Sequence, residues 1–287
     1  MIMIKGRMDR RWSDFTMEDV QKLSDMTPVE RYTYNNLAGE YTPPFTEKLA
    51  DKQMRIVISS HKYYDYKFRG IHRLQWSADN EKIHEEFYQA LELPGADGII
   101  LVQHYCKGSV PPTVHTLVLD LNTGLATVCV ASAGVPTVPR EIQREFFFGL
   151  IEGYEDPKIR HEFTEDMVGK AIYWTYRREP LVRIKHIYMA PLYYTYQMTN
   201  EQGQCWVASN PADFIKIADQ VYVFSFVEER QAGTQGFFLI NLKNLHDVGS
   251  FFGIQAHGME CCMFGAKGEF SSPYAWDWCE KRKAEPN

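Results

Sequence analysis

The chain lacks most of the chemistry that marks a familiar class of protein. Its six cysteines form no CxxC pair, so a zinc or disulfide-exchange centre is not indicated. No stretch stays apolar over the ~20 residues that a membrane helix needs. Acidic residues outnumber basic ones by 37 to 31, and no basic face is evident. We therefore expect no metal, no cofactor, no nucleic-acid partner and no membrane partner.

Signals for export are also missing. The opening segment MIMIKGRMDRRW carries charge but is not followed by an apolar segment, so we expect no secretory signal. Cysteines without a pairing pattern are typical of reduced, buried thiols. The sequence therefore predicts a cytoplasmic protein.

Motifs for common enzyme classes are absent as well. The sequence contains no HExxH, no GxSxG and no GxGxxG, and its cysteines do not cluster as iron–sulfur ligands. These absences remove the zinc proteases, the serine hydrolases and the dinucleotide-binding enzymes from consideration. They leave open whether the protein is an enzyme at all.

Aromatic residues are abundant, at 14% of the chain, and 17 of them are tyrosines. Residues 186–242 alternate aromatic and β-branched positions with smaller ones, and turn residues interrupt the pattern at short intervals. Within the run YVFSFV, Tyr222, Phe224 and Phe226 share one parity. Side chains alternate between the two faces of a strand, so this pattern predicts that the three rings point into a barrel.

Short strands also fill the first half, with no alternation of strands and helices. We predict strands over residues 54–59, 63–68, 73–77, 84–93, 98–105, 114–121 and 125–130. Asn122, Thr123 and Gly124 join the last two as a hairpin. The fold class is therefore predicted to be all-β and antiparallel.

A linker helix is predicted between the two halves, over residues 139–153. Ile142, Phe146 and Leu150 recur every four residues, which gives one apolar stripe, and Pro139 suits a helix start. The predicted divisions are residues 1–44 (a lead-in with one short helix), 45–135 (first barrel), 136–164 (linker), 165–256 (second barrel) and 257–287 (tail).

The second half repeats the order of elements in the first. The segment that begins at Met167 matches the one that begins at Leu49, and FFLINL over 237–242 matches TLVLDL over 116–121. Each copy is long enough for an up-and-down barrel of about eight strands, and closure would leave no exposed sheet edge. A two-sheet sandwich is the alternative.

The segments FTEDMVGKAIYWTY, HIYMAPLYYTYQ, FIKIADQVYVFSFVEE and GFFLINL resemble the molybdenum cofactor biosynthesis protein F (MoaF) family. LADKQMRIVIS and TLVLDLNTGLATV are similar to the N-terminal domain of that family. The resemblance covers residues 45–255 and implies two lipocalin-like barrels in tandem. The family name also implies a link to molybdenum cofactor biosynthesis.

Candidate site residues lie on the strands of the second half, where polar groups sit among large apolar neighbours. An apolar cavity with a few polar groups is typical of a ligand site. The predicted ligand-binding residues are His186, Tyr188, Tyr194, Tyr196, Trp206, Tyr222, Phe224, Glu228 and Arg230. A solvated strand end around Glu228 and a core role for the tyrosines are the alternatives. The first half carries a sparser polar set, formed by Arg55, Tyr66, Arg73, Trp76, Tyr88 and His104.

Three functions fit these observations. The first is binding of a small apolar or aromatic ligand in a barrel. The second is an enzyme, a decarboxylase or isomerase, acting on a small aromatic or carboxylate substrate in the cavity. The third is a protein-interaction scaffold. The oligomeric state and the identity of the functional barrel stay open.

Overall fold

The computed structural model describes residues 37–135, 138–199, 205–228, 234–255 and 258–271. The described residues form strands joined by turns and loops, and no helix among them could cross a membrane. The all-β prediction is confirmed. The short helix predicted in the lead-in, and part of the predicted tail, lie outside the described residues.

The first eight strands form a closed antiparallel barrel in which each strand pairs with the next along the chain. The eighth strand closes the barrel by pairing with the first, with Ile56 opposite Ile151. The strands are β1 (Gln53–Ser59), β2 (Lys62–Arg69), β3 (Arg73–Ala78), β4 (His84–Glu92), β5 (Ile99–Cys106), β6 (Thr113–Asp120), β7 (Leu125–Val135) and β8 (Val138–Ile151).

The second barrel has the same topology. Its first and last strands, β10 and β17, pair with each other, and the short strand β9 adds to one edge of β13. The strands are β9 (Glu162–Phe163), β10 (Ala171–Arg178), β11 (Leu181–Ala190), β12 (Tyr193–Thr199), β13 (Cys205–Ala218), β14 (Val221–Glu228), β15 (Thr234–Asn241), β16 (His246–Gln255) and β17 (Gly258–Ser271). The predicted tandem of barrels is therefore confirmed.

The predicted linker helix is wrong, because those residues form β8 and the turn after it. A repeat of four residues satisfies a helix, but it also keeps side chains on one face of a strand. Phe146 packs on the outer face of the barrel, whereas Phe147 and Ile151 pack against its core. The residues thus supply the strand that removes both open edges of the first sheet.

Strand β17 extends the second barrel beyond the boundary at residue 256. Its pairing with β10 runs from Ala171 opposite Ser271 to Thr175 opposite Lys267. Without this strand β10 would be an unpaired edge. The start of the segment predicted as a tail is therefore the closing strand of the second barrel.

A buried apolar residue precedes the first strand of each barrel at the same distance. Leu49 lies four positions before Gln53, and Met167 lies four positions before Ala171. Both side chains are fully buried in their barrel cores. The two segments whose sequences match therefore each place one apolar side chain in a barrel core.

The outer faces of the two barrels pack against each other through an apolar cluster. It joins Leu101 and Val118 of the first barrel to Val223 and Leu239 of the second, with further apolar neighbours. At roughly 25 cal/mol per Å² of apolar area removed from water, such burial stabilises the pairing of the domains.

Polar contacts fix the relative position of the two barrels at this interface. Arg144 Nη2 lies 2.7 Å from Asp213 Oδ2, and Arg144 also donates to Ser225 Oγ at 3.3 Å. Asn241 and Asn244 both donate to the carbonyl of Pro94, at 3.1 and 2.8 Å. Polar groups buried between the two domains therefore form hydrogen bonds and an ion pair with groups of the opposite domain.

Candidate functional site

The interior of the second barrel is lined by aromatic rings, as the strand pattern predicted. Tyr222, Phe224 and Phe226 belong to the core inside the barrel. Val221 and Val223 belong instead to the cluster between the domains. The predicted parity of β14 is therefore confirmed, and both faces of this strand are buried.

His186 lies in the middle of this aromatic interior, on β11 and opposite Tyr196 of β12. Its Nδ1 atom has no hydrogen-bond partner among the described residues. Burial lowers the pKa of the imidazole to about 3, so the ring is neutral at physiological pH. Its ring centroid lies 5.4–6.1 Å from those of Tyr188, Tyr194, Phe224 and Phe238.

Tyr188 is part of the packed core rather than of an open surface. Its hydroxyl accepts a hydrogen bond from Trp174 Nε1 at 3.1 Å, and both side chains are fully buried. Burial raises the pKa of Tyr188 well above its usual value. A partnered, neutral phenol at this position holds the ring packing in one arrangement.

A polar group terminates the aromatic interior at one end. Asn210 Nδ2 donates to Glu228 Oε2 at 3.2 Å, with the two residues 1% and 8% exposed. Tyr194 lies opposite Asn210 in the register, and burial followed by the Glu228 charge raises its pKa well above normal. The half-buried Tyr196 follows on the same face of β12. His186, Tyr194, Tyr196 and Glu228 are therefore brought to one region.

Three predicted residues are not placed in this region. The Tyr222 hydroxyl donates to Asp166 Oδ2 at 3.2 Å, in the turn before β10, where Lys216 also pairs with Asp166. Trp206 pairs through its backbone with Met198, but its side chain lies outside the described residues. Arg230 lies outside them altogether.

A second polar cluster, which the sequence pattern predicts only in part, lies inside the first barrel. The Nδ1–H of His104 donates to Glu86 Oε2 at 2.7 Å, and the backbone N–H of Lys107 donates to Glu86 Oε1 at 2.9 Å. His104 is fully buried, yet its Nε2 atom has no partner among the described residues. An oriented imidazole with a free, buried nitrogen is poised to accept a further bond.

His115 lies beside His104, with ring centroids 4.8 Å apart. Its Nδ1 atom shares a hydrogen bond with the Tyr66 hydroxyl at 3.2 Å. Burial, followed by repulsion from His104 and His84, lowers the pKa of His115 well below normal. The imidazole of His115 is therefore neutral at physiological pH.

The Trp76 ring packs against both of these imidazoles. Its ring centroid is 5.4 Å from that of His104 and 4.5 Å from that of His115, and its Nε1 atom also has no partner among the described residues. Two contacting rings of this cluster thus each carry a buried nitrogen without a partner among the described residues.

The polar set predicted for the first half includes Tyr66, Trp76 and His104 of this cluster but omits Glu86 and His115. A usable signal is present in the sequence, because Glu86 shares its parity with the core residue Tyr88, and His115 shares its parity with the core residue Leu117. The two arginines of that predicted set point away from the interior. They pair on the barrel surface, Arg55 with Asp65 and Arg73 with Glu85.

The two polar regions occupy equivalent places in the two barrels. The pair β5 and β6 of the first barrel has the same register as the pair β14 and β15 of the second, and all four strands are eight residues long. When the two strand pairs are aligned in this register, His104 corresponds to Phe226, His115 to Gly236 and Cys106 to Glu228. The first barrel thus places imidazoles where the second barrel has a phenyl ring packed over a glycine.

Comparison with known domain families matches both halves of the chain. Residues 32–134 match the MoaF N-terminal domain, and residues 161–272 match the MoaF C-terminal domain. No curated protein sequence matches the chain significantly. The two matched stretches span most of the chain: the first includes β1–β6 and nearly all of β7, and the second includes all strands of the second barrel, as the resemblance of the sequence implied. The chain belongs to the MoaF family.

Proposed function

We propose that this protein binds a small, largely apolar or aromatic ligand inside its second barrel. The observation that carries the proposal is the buried pair formed by Asn210 and Glu228 at one end of an aromatic interior. A buried carboxylate costs free energy unless hydrogen bonds compensate for its lost hydration. A polar group on the ligand would add to that compensation.

The chemistry of the region indicates the class of ligand. Glu228 accepts hydrogen bonds, so it favours a ligand with an O–H or N–H donor, such as a phenol. Rings such as Phe226 and Tyr194, whose centroids lie 4.8 Å apart, offer apolar surface for an aromatic body. The half-buried Tyr196 places this end nearer to solvent than the core around His186.

Binding is tested by native mass spectrometry of the full-length protein purified from cells, followed by calorimetric titration with a panel of phenols. We expect Glu228→Gln and Tyr196→Phe to weaken binding of a phenol at least about tenfold, or about 1.4 kcal/mol. Both changes preserve shape, so the melting temperature should stay within a few degrees. Tyr193→Phe is the matched control, since Tyr193 is 50% exposed on the same strand.

Unfolding of both variants would assign the cluster to the structural core and would remove the ligand site. Failure of every phenol to bind the wild-type protein would also contradict the proposal. Equal binding by Glu228→Gln and the wild-type protein would exclude the carboxylate from recognition.

The second candidate function is an enzyme, a decarboxylase or isomerase of small aromatic or carboxylate substrates. It is favoured by the closeness of the Glu228 carboxylate to the buried phenol of Tyr194. Such a pair could move a proton to or from a bound substrate. Loss of carbon dioxide or isomerisation of a bound phenolic acid would distinguish this function from simple binding. A link to molybdenum cofactor biosynthesis stays a proposal based on the family name.

A further inference from the structure

The first barrel contains three side chains of metal-binding type that meet in its interior. One ligand atom from each of Glu86, His104 and Cys106 lies within 4.8 Å of the other two. The three residues are 6%, 0% and 6% exposed. The pairing of Tyr88 with His104 explains their closeness, because Glu86 and Cys106 each lie two positions from that pair, on the same face of β4 and β5.

We propose that these residues bind one divalent transition-metal ion of the zinc type. Ligand atoms at 2.0–2.3 Å from a tetrahedral ion lie about 3.5 Å apart, whereas His104 Nδ1 and Glu86 Oε2 are 2.7 Å apart, so the ion would replace their hydrogen bond after a small separation of the two side chains. An imidazole and a thiolate favour zinc or its neighbours in the first transition series over magnesium or calcium. Three protein ligands would leave one position open for water or a further ligand.

The charges of the three groups suit a buried divalent ion. A carboxylate and a thiolate together carry two negative charges, which cancel those of the ion, while the imidazole stays neutral. This balance lowers the cost of holding an ion away from water. Binding breaks the S–H bond of Cys106 and forms a metal–sulfur bond, with the proton released to solvent.

The surroundings of the group support a ligand site rather than a closed core. His104 would ligate through Nδ1, the atom that faces Glu86, and its proton would move to Nε2, which has no partner among the described residues. The buried Nε1 atom of Trp76 has no partner among them either. The backbone N–H of Lys107 holds Glu86 in place from behind, as supporting hydrogen bonds do around metal ligands. His115, held by Tyr66, is the nearest further imidazole.

Solvent reaches the half-buried Trp76, whose ring packs against that of His104. A cleft of about 440 Å³ lies along β2 and β3, and Tyr66, Trp76 and Ile83 are among the residues that line it. The Trp76 ring contacts the rings of both His104 and His115. The Tyr66 ring contacts that of His104, and its hydroxyl shares a hydrogen bond with His115.

The second barrel supplies an internal comparison. The position equivalent to His104 is Phe226, and the positions equivalent to Glu86 and Cys106 are Asn210 and Glu228. A phenyl ring cannot ligate a metal, and an amide is a weak ligand for zinc. We therefore expect one ion per chain, bound in the first barrel.

The test uses the tag-free, full-length protein after dialysis against a chelator, titrated with Co²⁺ as the probe. We expect an absorbance band from thiolate-to-cobalt charge transfer that saturates at one equivalent and is bleached by Zn²⁺. Zn²⁺ should also raise the melting temperature. Cys106→Ser should abolish the band, and His104→Gln or Glu86→Gln should weaken Co²⁺ binding at least tenfold.

Cys205→Ser is the matched control, because Cys205 is an exposed thiol that could bind cobalt adventitiously. This variant should keep both the band and its stoichiometry. Absence of the band in the wild-type protein would overturn the proposal, whatever the variants do. Persistence of the band in Cys106→Ser, or its loss in Cys205→Ser, would also overturn it. The outcome is independent of ligand binding in the second barrel.

Discussion

Replacing His186 with leucine should change how the stability of the protein depends on pH. The folded protein holds this imidazole neutral, with its pKa lowered to about 3 by burial. In the unfolded chain an imidazole titrates near pH 6.5. Between those two values the unfolded chain binds a proton that the folded protein does not, so stability falls as the pH falls through this window.

The size of the effect follows from the two pKa values. Lowering the pH from about 7 to about 4 should cost the wild-type protein about 3 kcal/mol through His186 alone. The loss ends below about pH 3, where both states bind the proton. Leucine has a similar volume and no titrating group, so the His186→Leu variant should lack this part of the pH dependence.

Urea unfolding at several pH values, with the free energy extrapolated to water, measures the difference. Other buried histidines, such as His115 and His161, contribute equally to both proteins and cancel in the comparison. His61→Leu is the control, because His61 is exposed in the turn after β1, and it should leave the wild-type pH dependence intact. Parallel stability curves for His186→Leu and the wild-type protein would refute the reasoning, since they would mean that water reaches this imidazole.

Two further predictions concern packing inside the second barrel. A Cβ at Gly236 would clash with the Phe226 ring, so Gly236→Ala should destabilise the protein by about 1–3 kcal/mol. Chemical denaturation should show a smaller cost in a Phe226→Leu background, and equal costs in both backgrounds would contradict this contact. Tyr188→Phe leaves the buried Trp174 N–H without its acceptor and should cost about 1–3 kcal/mol. The exposed Tyr193→Phe should cost almost nothing, and a neutral result for both variants would mean that water replaces the lost acceptor.

The strands are predictable from the sequence because their turns and alternation are local properties of the chain. The two-residue period of β14 indicates the correct inward set, which begins at Tyr222. Strand β8 resembles a helix in sequence because Ile142, Phe146 and Leu150 fit both periods equally well. The helix and the strand are distinguished only by the need of β1 for a pairing partner on its second edge. That need is a property of the whole sheet and cannot be seen in the local sequence.

The polar interior of the first barrel is harder to predict from the sequence. Glu86 and His104 are 18 positions apart, and they meet only because β4 and β5 pair in one particular register. A shift of that register by one residue would turn one of them outward. His115 adds a third strand to the same problem. Motif searches with fixed spacing therefore pass over a cluster of this kind.

The apolar surface between the barrels has a further meaning in terms of symmetry. The first barrel contributes residues of β4–β8, among them Leu101, and the second contributes residues of β13–β17, among them Val223. These are the same five strands of each eight-stranded unit, so the surface is approximately isologous, like that of a twofold dimer. The chain corresponds to such a dimer fused end to end. In a true homodimer, any change in one interior would appear in both. Fusion removes that constraint, so one interior can hold His104 where the other holds Phe226.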